Sequence, residues 1–544
     1  MSSLRVRDSI RLARSQSLVV ERLVLLIAIA CSPMAEAGQE GSRADLKRAI
    51  EGGMDNLIAW ARPMTNVPAE KAVNHGHPAL AHWHIRHNVG RAIDALLRGN
   101  EAIAKPIPEE IEAALRRYLF ASLDNPTHFN AAFSAEEGRL VFHAHDVREA
   151  ILALTALVHY RNDDQARRDL DNLLDALGRL VREDGTFDPE VVAGMPLLEG
   201  GHFTEHRTEP NGKVYNLACW TRGRWIMALC RCYRQTGDKR ALDLAARLVG
   251  LVKRVSFTSD GKISRDEFFH THSITGTVHG LIDYGLTVGD SELVMFARRV
   301  FDEGLPEVSS SYGWSVETAW RDPERPERGE VNNTGDMIQA ALLLGQNGMP
   351  QYFQDAERRI RSHVLPSQCA DSGWGFPSPN DRALYGESIL DITAGAVQAL
   401  CEVSGNLATQ EDARLNINLL FDNWAGPARV ESELPERGHL KIVVVDEKEI
   451  FVRVSPWVDR QKVQLTVGGV ERKPVFKDLW LVVGQARSGE EVIVNFPLPE
   501  SEENEVVNKR PYQLVWRGDQ VVALSPKGSN QPMFPSVEEY LAGK

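Results

Sequence analysis

Between His270 and Asp336 the chain concentrates residue types that can move protons and bind hydroxyl groups. His270 and His272 open one apolar, helix-like run, and Asp336 precedes another. Acids and amides gather around these starts, namely Glu317, Glu330, Asn332, Asn333 and Asp336. Carboxyl groups can donate or accept protons, and amides can hold ligand hydroxyls. Polar groups gathered at helix starts indicate a site in the mouth of a helical barrel and favour sugar chemistry.

Two carboxyl groups can hydrolyse a glycosidic bond, one acting as acid and the other as base or nucleophile. We expect Glu317 to be the acid and Asp336 or Glu330 to be its partner. Each partner also has a plainer interpretation, since Asp336 could cap the helix that follows it and Glu330 could be an exposed loop residue. Asn332 and Asn333 could orient sugar hydroxyls or cap the same helix.

Further side chains extend this candidate site. His145, His270 and His272 are expected to bind substrate, although a structural histidine is the plainer interpretation of each. Trp374 and Asp371 share a glycine-rich loop, and we expect Trp374 to form a pocket wall because indole faces stack on sugars, although a tryptophan in the core is the commoner case. Other histidines cluster at His75, His77, His82, His84 and His87. No compact ligand motif such as His-Glu-x-x-His occurs, so the sequence predicts no metal and no cofactor.

The elements that must position these groups are helical from Asp45 to about Glu402. Helices come in pairs joined by short connectors such as Thr236-Gly-Asp238 and Val288-Gly-Asp290, in which Gly suits a helix stop and Asp the next N-cap. Long loops rich in Gly, His, Trp and acids separate the pairs. This repetition predicts an (α/α)6 toroid over residues 38–405, with inner helices lining a cleft.

Near residue 410 the hydrophobic spacing changes to a period of two. Short runs such as Leu440–Val445, Ile450–Val454 and Glu491–Phe496 are bounded by turn residues. The pattern predicts a C-terminal antiparallel β-sandwich over residues 406–525, followed by a loose tail at 526–544. The fold class is therefore mainly α with an added β domain.

The N-terminus has the pattern of a secretory signal peptide. Arginines precede an apolar run from Leu23 to Cys31, and Ala35-Glu-Ala37 supplies small residues for cleavage before Gly38. The run is too short to span a bilayer, and no later segment is long and apolar enough to do so. We therefore expect residues 1–37 to be removed and the protein to be secreted or periplasmic.

Composition narrows the class of partner. The formal net charge is -13 and no basic tract occurs, so we expect no nucleic-acid binding. An oligo- or polysaccharide is the expected partner, and an acidic one would need a local basic pocket. The cysteine spacing does not match a disulfide framework.

Several motifs in order resemble glycoside hydrolase family 127, the β-L-arabinofuranosidase-like family. His270-Thr-His-Ser-Ile-Thr275 is similar to a family segment that contributes a histidine to the sugar pocket. Asp412–Leu420 is similar to the strand that leaves the family's barrel, and Ile450–Trp457 to a later strand. From about His270 onward the register is fair, and before it the likeness is architectural. The resemblance implies an (α/α)6 barrel followed by β-sandwich material.

The resemblance also implies which catalytic groups remain. The family uses a cysteine nucleophile on a zinc ion held by one Glu and three Cys, with an acid/base Glu whose position Glu317 matches. Asn333 stands where the family has its zinc Glu, and Gly335 where it has a zinc Cys. Gly375–Asn380 replaces the segment carrying the other two thiols. Because Asn and Gly are not zinc ligands, we expect the zinc–cysteine mechanism to be lost.

Three hypotheses of function follow. The first is a secreted glycoside hydrolase that uses Glu317 with Asp336 or Glu330. The second is a polysaccharide lyase, in which a His or Tyr removes a proton beside a uronate carboxyl that Asn332, Asn333, Arg222 or Arg224 helps to neutralise. The third is a non-catalytic glycan-binding protein that has kept the barrel.

Overall fold

The computed structural model describes residues 45–76, 81–135, 138–194, 203–319, 328–424 and 426–544. The expected signal peptide, residues 1–37, lies outside these ranges. Within them, no helix is both long and apolar enough to cross a membrane.

Long helices form the first part of the described chain and alternate between an outer and an inner ring. In chain order they are α1 (Leu46–Ala61), α2 (Val89–Ile103), α3 (Glu109–Leu123), α4 (Val147–Arg161), α5 (Asp164–Leu180), α6 (Trp225–Thr236), α7 (Lys239–Val255), α8 (Thr271–Val288), α9 (Ser291–Arg299), α10 (Val331–Gln346), α11 (Gln351–Arg359) and α12 (Leu390–Asn406). The even-numbered helices form the inner ring, and α12 packs against α2 to close it. The predicted (α/α)6 toroid is confirmed.

Burial explains which helices are inner. Helices α4, α8 and α10 are buried along almost their whole length, as helices enclosed by others are. Outer helices such as α5 and α7 bury one stripe and expose the other, as an amphipathic helix on a surface does. Each inner helix runs in the same direction because an outer helix returns the chain after it.

The short connectors have the predicted chemistry. Gly237 and Gly289 end α6 and α8 in the left-handed region, with φ of 77° and 73°. Asp238 and Asp290 then accept hydrogen bonds from the first turns of α7 and α9. These local signals confirm the helical hairpins.

Shorter elements fill the loops between helices. The short α-helices are Ala69–His75 and Pro189–Gly194. Two hairpins are formed by β1 (Ala132–Ser134) with β2 (Arg139–Val141) and by β3 (His206–Thr208) with β4 (Val214–Asn216). The π-helical turns are His84–Asn88, Cys219–Gly223, Val300–Gly304 and Ile360–Val364, and the 3-10 turns are Arg62–Asn66, Ala144–Asp146, Leu305–Glu307 and Arg460–Lys462.

Two five-stranded sheets form the sandwich. Their strands are β5 (Ala408–Glu411), β6 (Arg414–Ile417), β7 (Ala428–Ser432), β8 (Gly438–Val444), β9 (Lys448–Arg453), β10 (Gln464–Val467), β11 (Val470–Arg472), β12 (Val475–Lys477), β13 (Trp480–Ala486) and β14 (Glu491–Phe496). One sheet has the order β11-β10-β14-β8-β7 and the other β12-β13-β9-β6-β5. The alternating burial of β8 shows one face packed on the shared core. Pairing is antiparallel except between β6 and β9, which are parallel.

A third sheet departs from the prediction of a single sandwich up to residue 525. It contains β15 (Glu500–Val507), β16 (Arg510–Arg517) and β17 (Gln520–Ser525), and its core includes Tyr312 and Trp314 from the barrel. The tail after residue 526 is not loose. Met533 and Phe534 are buried in that core, Asp381 accepts backbone hydrogen bonds from Ser529, Asn530 and Gln531, and α13 (Val537–Ala542) follows.

Buried ion pairs fasten the β domain to the barrel. Glu357 of α11 accepts hydrogen bonds from Arg361 at 2.8 Å and from the backbone N–H of Leu420 at 3.1 Å, and it pairs with Arg453 of β9. Asp519 binds Arg358 at 3.0 Å. Because the third sheet packs on Tyr312 and Trp314, it also supports the segment that leads into Glu317.

Candidate active site

The N-terminal turns of the inner helices meet at one mouth of the barrel. Each contributes polar side chains there. The groups are His87 and Arg91 at α2, His145, Arg148 and Glu149 at α4, Arg224 at α6, His270 and His272 at α8, Glu330, Asn332 and Asp336 at α10, and Asp391 at α12. These groups converge at the barrel mouth, where the sequence predicts the site.

Glu317 is held at this mouth by backbone pairing. Its backbone N–H donates to the backbone carbonyl of Arg328 at 2.8 Å. Its backbone carbonyl accepts from the N–H of Thr271, at the start of α8, at 3.0 Å. Both carboxylate oxygens of Glu317 pair with the Arg328 guanidinium. The segment around Glu317 pairs in antiparallel fashion with that around Gly329, so Glu317 and Glu330 project from the same face.

His272 lies between the two other predicted carboxyl groups. Its Nδ1 is 3.7 Å from Glu330 Oε1, and its Nε2 is 3.4 Å from Asp336 Oδ2. Asn332 donates to Glu330 at 2.6 Å, and Thr275 donates to Asp336 at 3.0 Å. Glu330 and Asp336 therefore face the barrel interior, and neither interpretation as an exposed loop residue or an N-cap holds. Glu330 itself occupies the N-cap position of α10, and Asp336 lies in its second turn.

These surroundings change the acidity of both carboxyls. Burial raises the pKa of Glu330 to about 8, and the negative charges of Asp391 and Glu317 add to the rise. Burial also raises the pKa of Asp336, to about 6, against the opposing charge of Arg148. Glu330 therefore keeps its proton at neutral pH and can donate it.

Three arginines form the floor of the mouth. Arg91, Arg148 and Arg224 all approach one oxygen, Glu149 Oε1, at 3.1, 3.3 and 2.9 Å. Burial alone raises the pKa of Glu149, but these guanidiniums, Arg148 foremost, outweigh it and lower that pKa to about 2. We refer to these three residues as the arginine floor.

Neutral histidines lie above the arginine floor. Arg91 Nη2 and Arg148 Nη1 each approach His272 Nε2 at 3.5 Å, and Arg224 Nη1 lies 2.7 Å from His145 Nδ1. Burial, followed by the charge of Arg224, lowers the pKa of His145, His270 and His272. His145 and His270 are partly exposed, and their rings are 5.5 Å apart. They stand between the floor and solvent.

Three predicted substrate contacts do not belong to the open site. Trp374 is fully buried and donates to the carbonyl of Val364 at 2.7 Å, so it is a core residue and not a pocket wall. Asp371 lies beside outer helix α1, where it accepts from Ser388 at 2.6 Å. Asn333 is fully buried and donates to the carbonyl of Val316 at 3.0 Å, so it holds the Glu317 segment in place.

Of the arginine floor, only Arg224 was named from the sequence, as a group that could neutralise a uronate; Arg91, Arg148, Glu149, Arg328 and Asp391 were missed. Arg91, Arg148 and Glu149 lie in runs with the pattern of ordinary apolar helices. A usable signal was present nonetheless. Each lies in the first turn of an inner helix, at the same depth as His272 and Asn332, and aligning the helix starts would have placed them together.

The fold is an (α/α)6 toroid with a polar mouth. The sequence profile described as β-L-arabinofuranosidase, GH127 catalytic domain, matches residues 58–358. The chain belongs to glycoside hydrolase family 127, a family of carbohydrate-active hydrolases. The matched range begins well before His270, so the likeness in the first half of the barrel extends to sequence as well as architecture.

Solved structures support the same fold. A GH127 β-arabinofuranosidase superposes with a TM-score of 0.64 at 14% identity, covering 88% of this chain and 83% of the other. A GH127 β-L-arabinofuranosidase from Geobacillus stearothermophilus T6 gives a TM-score of 0.59 at 13% identity, covering 88% and 84%. No curated protein matches the chain. At these identities the structural likeness shows the fold alone.

The residues at the family's zinc position do not fit a zinc–thiolate site. The Asn333 amide is bound to the Ser315 hydroxyl and the Val316 carbonyl. Gly335 has no side chain and lies against Ala399. Arg328 covers Phe376, in the segment where the family carries two thiols, with its guanidinium 4.0 Å from the ring centroid. The cysteines of the described chain are all buried, and burial raises their pKa values, for Cys369 to about 11.

Proposed function

We propose that this protein hydrolyses glycosidic bonds with two carboxyl groups, Glu317 and Glu330, and without zinc–cysteine chemistry. The observation that carries the proposal is that both carboxyls project from one face at the barrel mouth. There Glu330 is buried beside the negative charges of Asp391 and Glu317. Two carboxyls in environments that separate their acidities are the usual basis for acid and base roles.

Glu330 is the general acid in this proposal. Its raised pKa keeps the proton available at neutral pH, and the Asn332 amide orients the carboxyl. Glu317, paired with Arg328, is the carboxylate that acts as base or nucleophile. This assignment reverses the sequence-based expectation that Glu317 is the acid.

His272 and Asp336 support the pair from below. Asp336 lies on the far side of the imidazole from Glu330, so the chain of contacts fixes the His272 ring against the acid. We therefore assign Asp336 a positioning role. Asn332 and His270 remain our proposed contacts for sugar hydroxyls, since both lie at the mouth and Asn332 Oδ1 has no protein partner in the described chain.

The test is incubation with a panel of plant and algal polysaccharides and their oligosaccharides. New reducing ends should appear without the ultraviolet absorbance of unsaturated uronates. Glu317→Gln and Glu330→Gln should abolish this activity, while Asp371→Asn, an acid in the same part of the sequence but outside the mouth, should retain it.

Other outcomes would replace the proposal. Product that carries the ultraviolet absorbance would establish a lyase, in which the arginine floor neutralises a uronate carboxyl. Full activity in both glutamine variants would exclude the assigned pair. Glycan binding without any product from the panel would favour a binding protein.

We also propose that the protein is exported. The support is the arginine-led apolar run and the small residues Ala35-Glu-Ala37 ahead of Gly38. Mass spectrometry of the protein from its native host should give a mature N-terminus at Gly38. An intact N-terminus starting at Met1 would contradict export by cleavage.

A further inference from the structure

The arginine floor gathers three cations around one carboxylate. Arg91 lies on α2 directly after the π-helical turn His84–Asn88, and Arg148 lies in the first turn of α4. Arg224 lies between the π-helical turn Cys219–Gly223 and α6. All three side chains are nevertheless buried, with exposures of 1%, 4% and 1%.

The carboxylates in contact with the floor do not match its charge. Glu149 is the shared partner, and only its Oε1 is used, since Oε2 has no hydrogen-bond partner in the described chain. Asp391 reaches only to 4.0 Å from Arg91, and the Asp336 carboxylate is hydrogen-bonded to Thr275. Burial is the main cause that lowers the pKa of Arg224 to about 9, and the charge of Arg148 adds to the fall.

Arg91 Nη1 donates to the backbone carbonyl of Asp391 at 2.7 Å, and other N–H groups of the floor approach neutral imidazoles. Arg224 Nη1 is 2.7 Å from His145, and His272 receives both Arg91 and Arg148. An oxyanion is a much stronger partner for a guanidinium than a neutral ring, because the hydrogen bond is then charge-assisted on both sides. His145 is partly exposed, so the Arg224 guanidinium lies one side chain below solvent.

We propose that Arg91, Arg148 and Arg224, with His145 above them, form a subsite for an anionic substituent on the substrate sugar, the carboxylate of a uronic acid. This inference rests on the proposed function insofar as the ligand is a sugar. The subsite lies below Glu330, so the anionic sugar occupies the barrel mouth beside the reacting bond. A sulfate ester carries the same oxyanion chemistry, and the experiment separates the two.

The experiment is a calorimetric or ligand-observed NMR titration of the full chain with matched pairs of sugars. The pairs are D-glucuronate with D-glucose, D-galacturonate with D-galactose and D-mannuronate with D-mannose, with the 6-sulfates of glucose and galactose and with L-arabinose as further probes. We expect at least one uronate to bind about tenfold more tightly than its neutral partner, equivalent to about 1.4 kcal/mol. Added salt should weaken that binding.

Variants assign the effect to the floor. Arg224→Gln and Arg148→Gln should remove the preference for the uronate, and Arg224→Lys should keep part of it. Arg231→Gln is the matched control, because Arg231 is a largely buried arginine at the other end of the barrel. Melting curves of every variant check that the measured sample is folded.

The outcomes separate this inference from the proposed function. Tighter binding of a 6-sulfate than of the uronates would support the subsite and assign it to sulfate esters. The subsite is overturned if the uronates bind within about threefold of their neutral partners, or if no probe binds. It is also overturned if Arg231→Gln loses the preference for the uronate as much as the floor variants do. The titrations measure binding without turnover, so a failure of hydrolysis leaves the binding result intact.

Discussion

The two ends of the barrel interior contain similar residue types in opposite electrostatic settings. At the mouth, three arginines meet Glu149 beside the helix N-termini. At the far end, Arg98 and Arg231 lie near Asp94 and Glu402, beside the C-terminal halves of the inner helices. Three cations therefore share one carboxylate at the mouth, whereas two cations share two carboxylates at the far end.

The far end balances its cations with nearby carboxylates. Arg234 pairs with Asp283 through two nitrogens, and Gln398 donates to Asp94 at 2.7 Å. A cavity of about 360 Å³ is present there, and its lining residues Arg98 and Arg231 pair with Asp94 and Glu402. At the mouth, one carboxylate, Glu149, is shared by three arginines. Unbalanced charge, rather than the number of charged residues, marks the candidate site.

The largest expected effect is on catalysis at the mouth. Glu330→Gln and Glu317→Gln should each lower kcat/KM on an unactivated glycoside by about a thousandfold, because an acid or base contributes roughly 10²–10⁴ in rate. Their melting temperatures should stay close to that of the wild type, since glutamine keeps the shape and loses only the proton chemistry. Steady-state kinetics measure the loss of kcat/KM, and calorimetry measures the melting temperature. A large loss of stability without a loss of activity would contradict the catalytic role of the mouth.

The opposite pattern is expected at the far end. Asp94→Asn should lower the free energy of unfolding by about 3 kcal/mol, because it breaks a buried charge cluster and leaves Arg231 without full compensation. Activity at a temperature well below the melting transition should be retained. Denaturant unfolding and kinetics on the same preparation provide the check, and an inactive but equally stable variant would show that the far end takes part in function.

A smaller effect concerns pH. Glu330 must hold its proton to act as the acid, and its pKa is about 8, so activity should decline as the pH rises through about 8. Below that pH Glu330 is protonated, so its titration does not limit kcat/KM. A pH profile of kcat/KM measures the limb, and a wild-type profile that stays flat to pH 10 would exclude Glu330 as the acid.

The smallest expected effect is at Asp371. This acid is exposed beside α1 and touches none of the mouth residues, so Asp371→Asn should change kcat/KM by less than about twofold and leave stability within about 0.5 kcal/mol. The same kinetic and thermal assays apply. A loss as large as that of Glu317→Gln would extend the site well beyond the mouth.

Local signals explain what the sequence could predict. Gly237 and Asp238 encode a helix stop and the next cap within two residues, so the hairpins and the toroid followed from neighbouring residues. Long-range packing explains the failures. Trp374 lies in a loop with the composition of a binding loop, but its ring is covered by α1, which comes more than 300 residues earlier in the chain. The arginine floor needs three inner helices to be aligned, which spacing within one segment does not provide.

The zinc–cysteine prediction shows a second limit. Replacement of ligand residues such as Asn333 and Gly335 was readable from the motif alone. The new role of these positions was not readable, because the Asn333 amide binds Ser315 and Val316, which lie on a loop segment outside α10. The substitution therefore turned a ligand position into a support for the segment that carries Glu317.

Glu330 is proposed to donate the proton, and Glu317 to act as the carboxylate base or nucleophile. The dependence of the rate on the leaving group distinguishes these two roles. The measurement compares kcat/KM of both glutamine variants on a natural glycoside and on the nitrophenyl glycoside of the same sugar, whose leaving group needs no protonation. We predict that Glu330→Gln lowers kcat/KM about a thousandfold on the natural glycoside and only about tenfold on the nitrophenyl glycoside. Glu317→Gln should lose activity on both substrates. The reverse pattern, with Glu317→Gln rescued by the activated leaving group, would contradict the assignment.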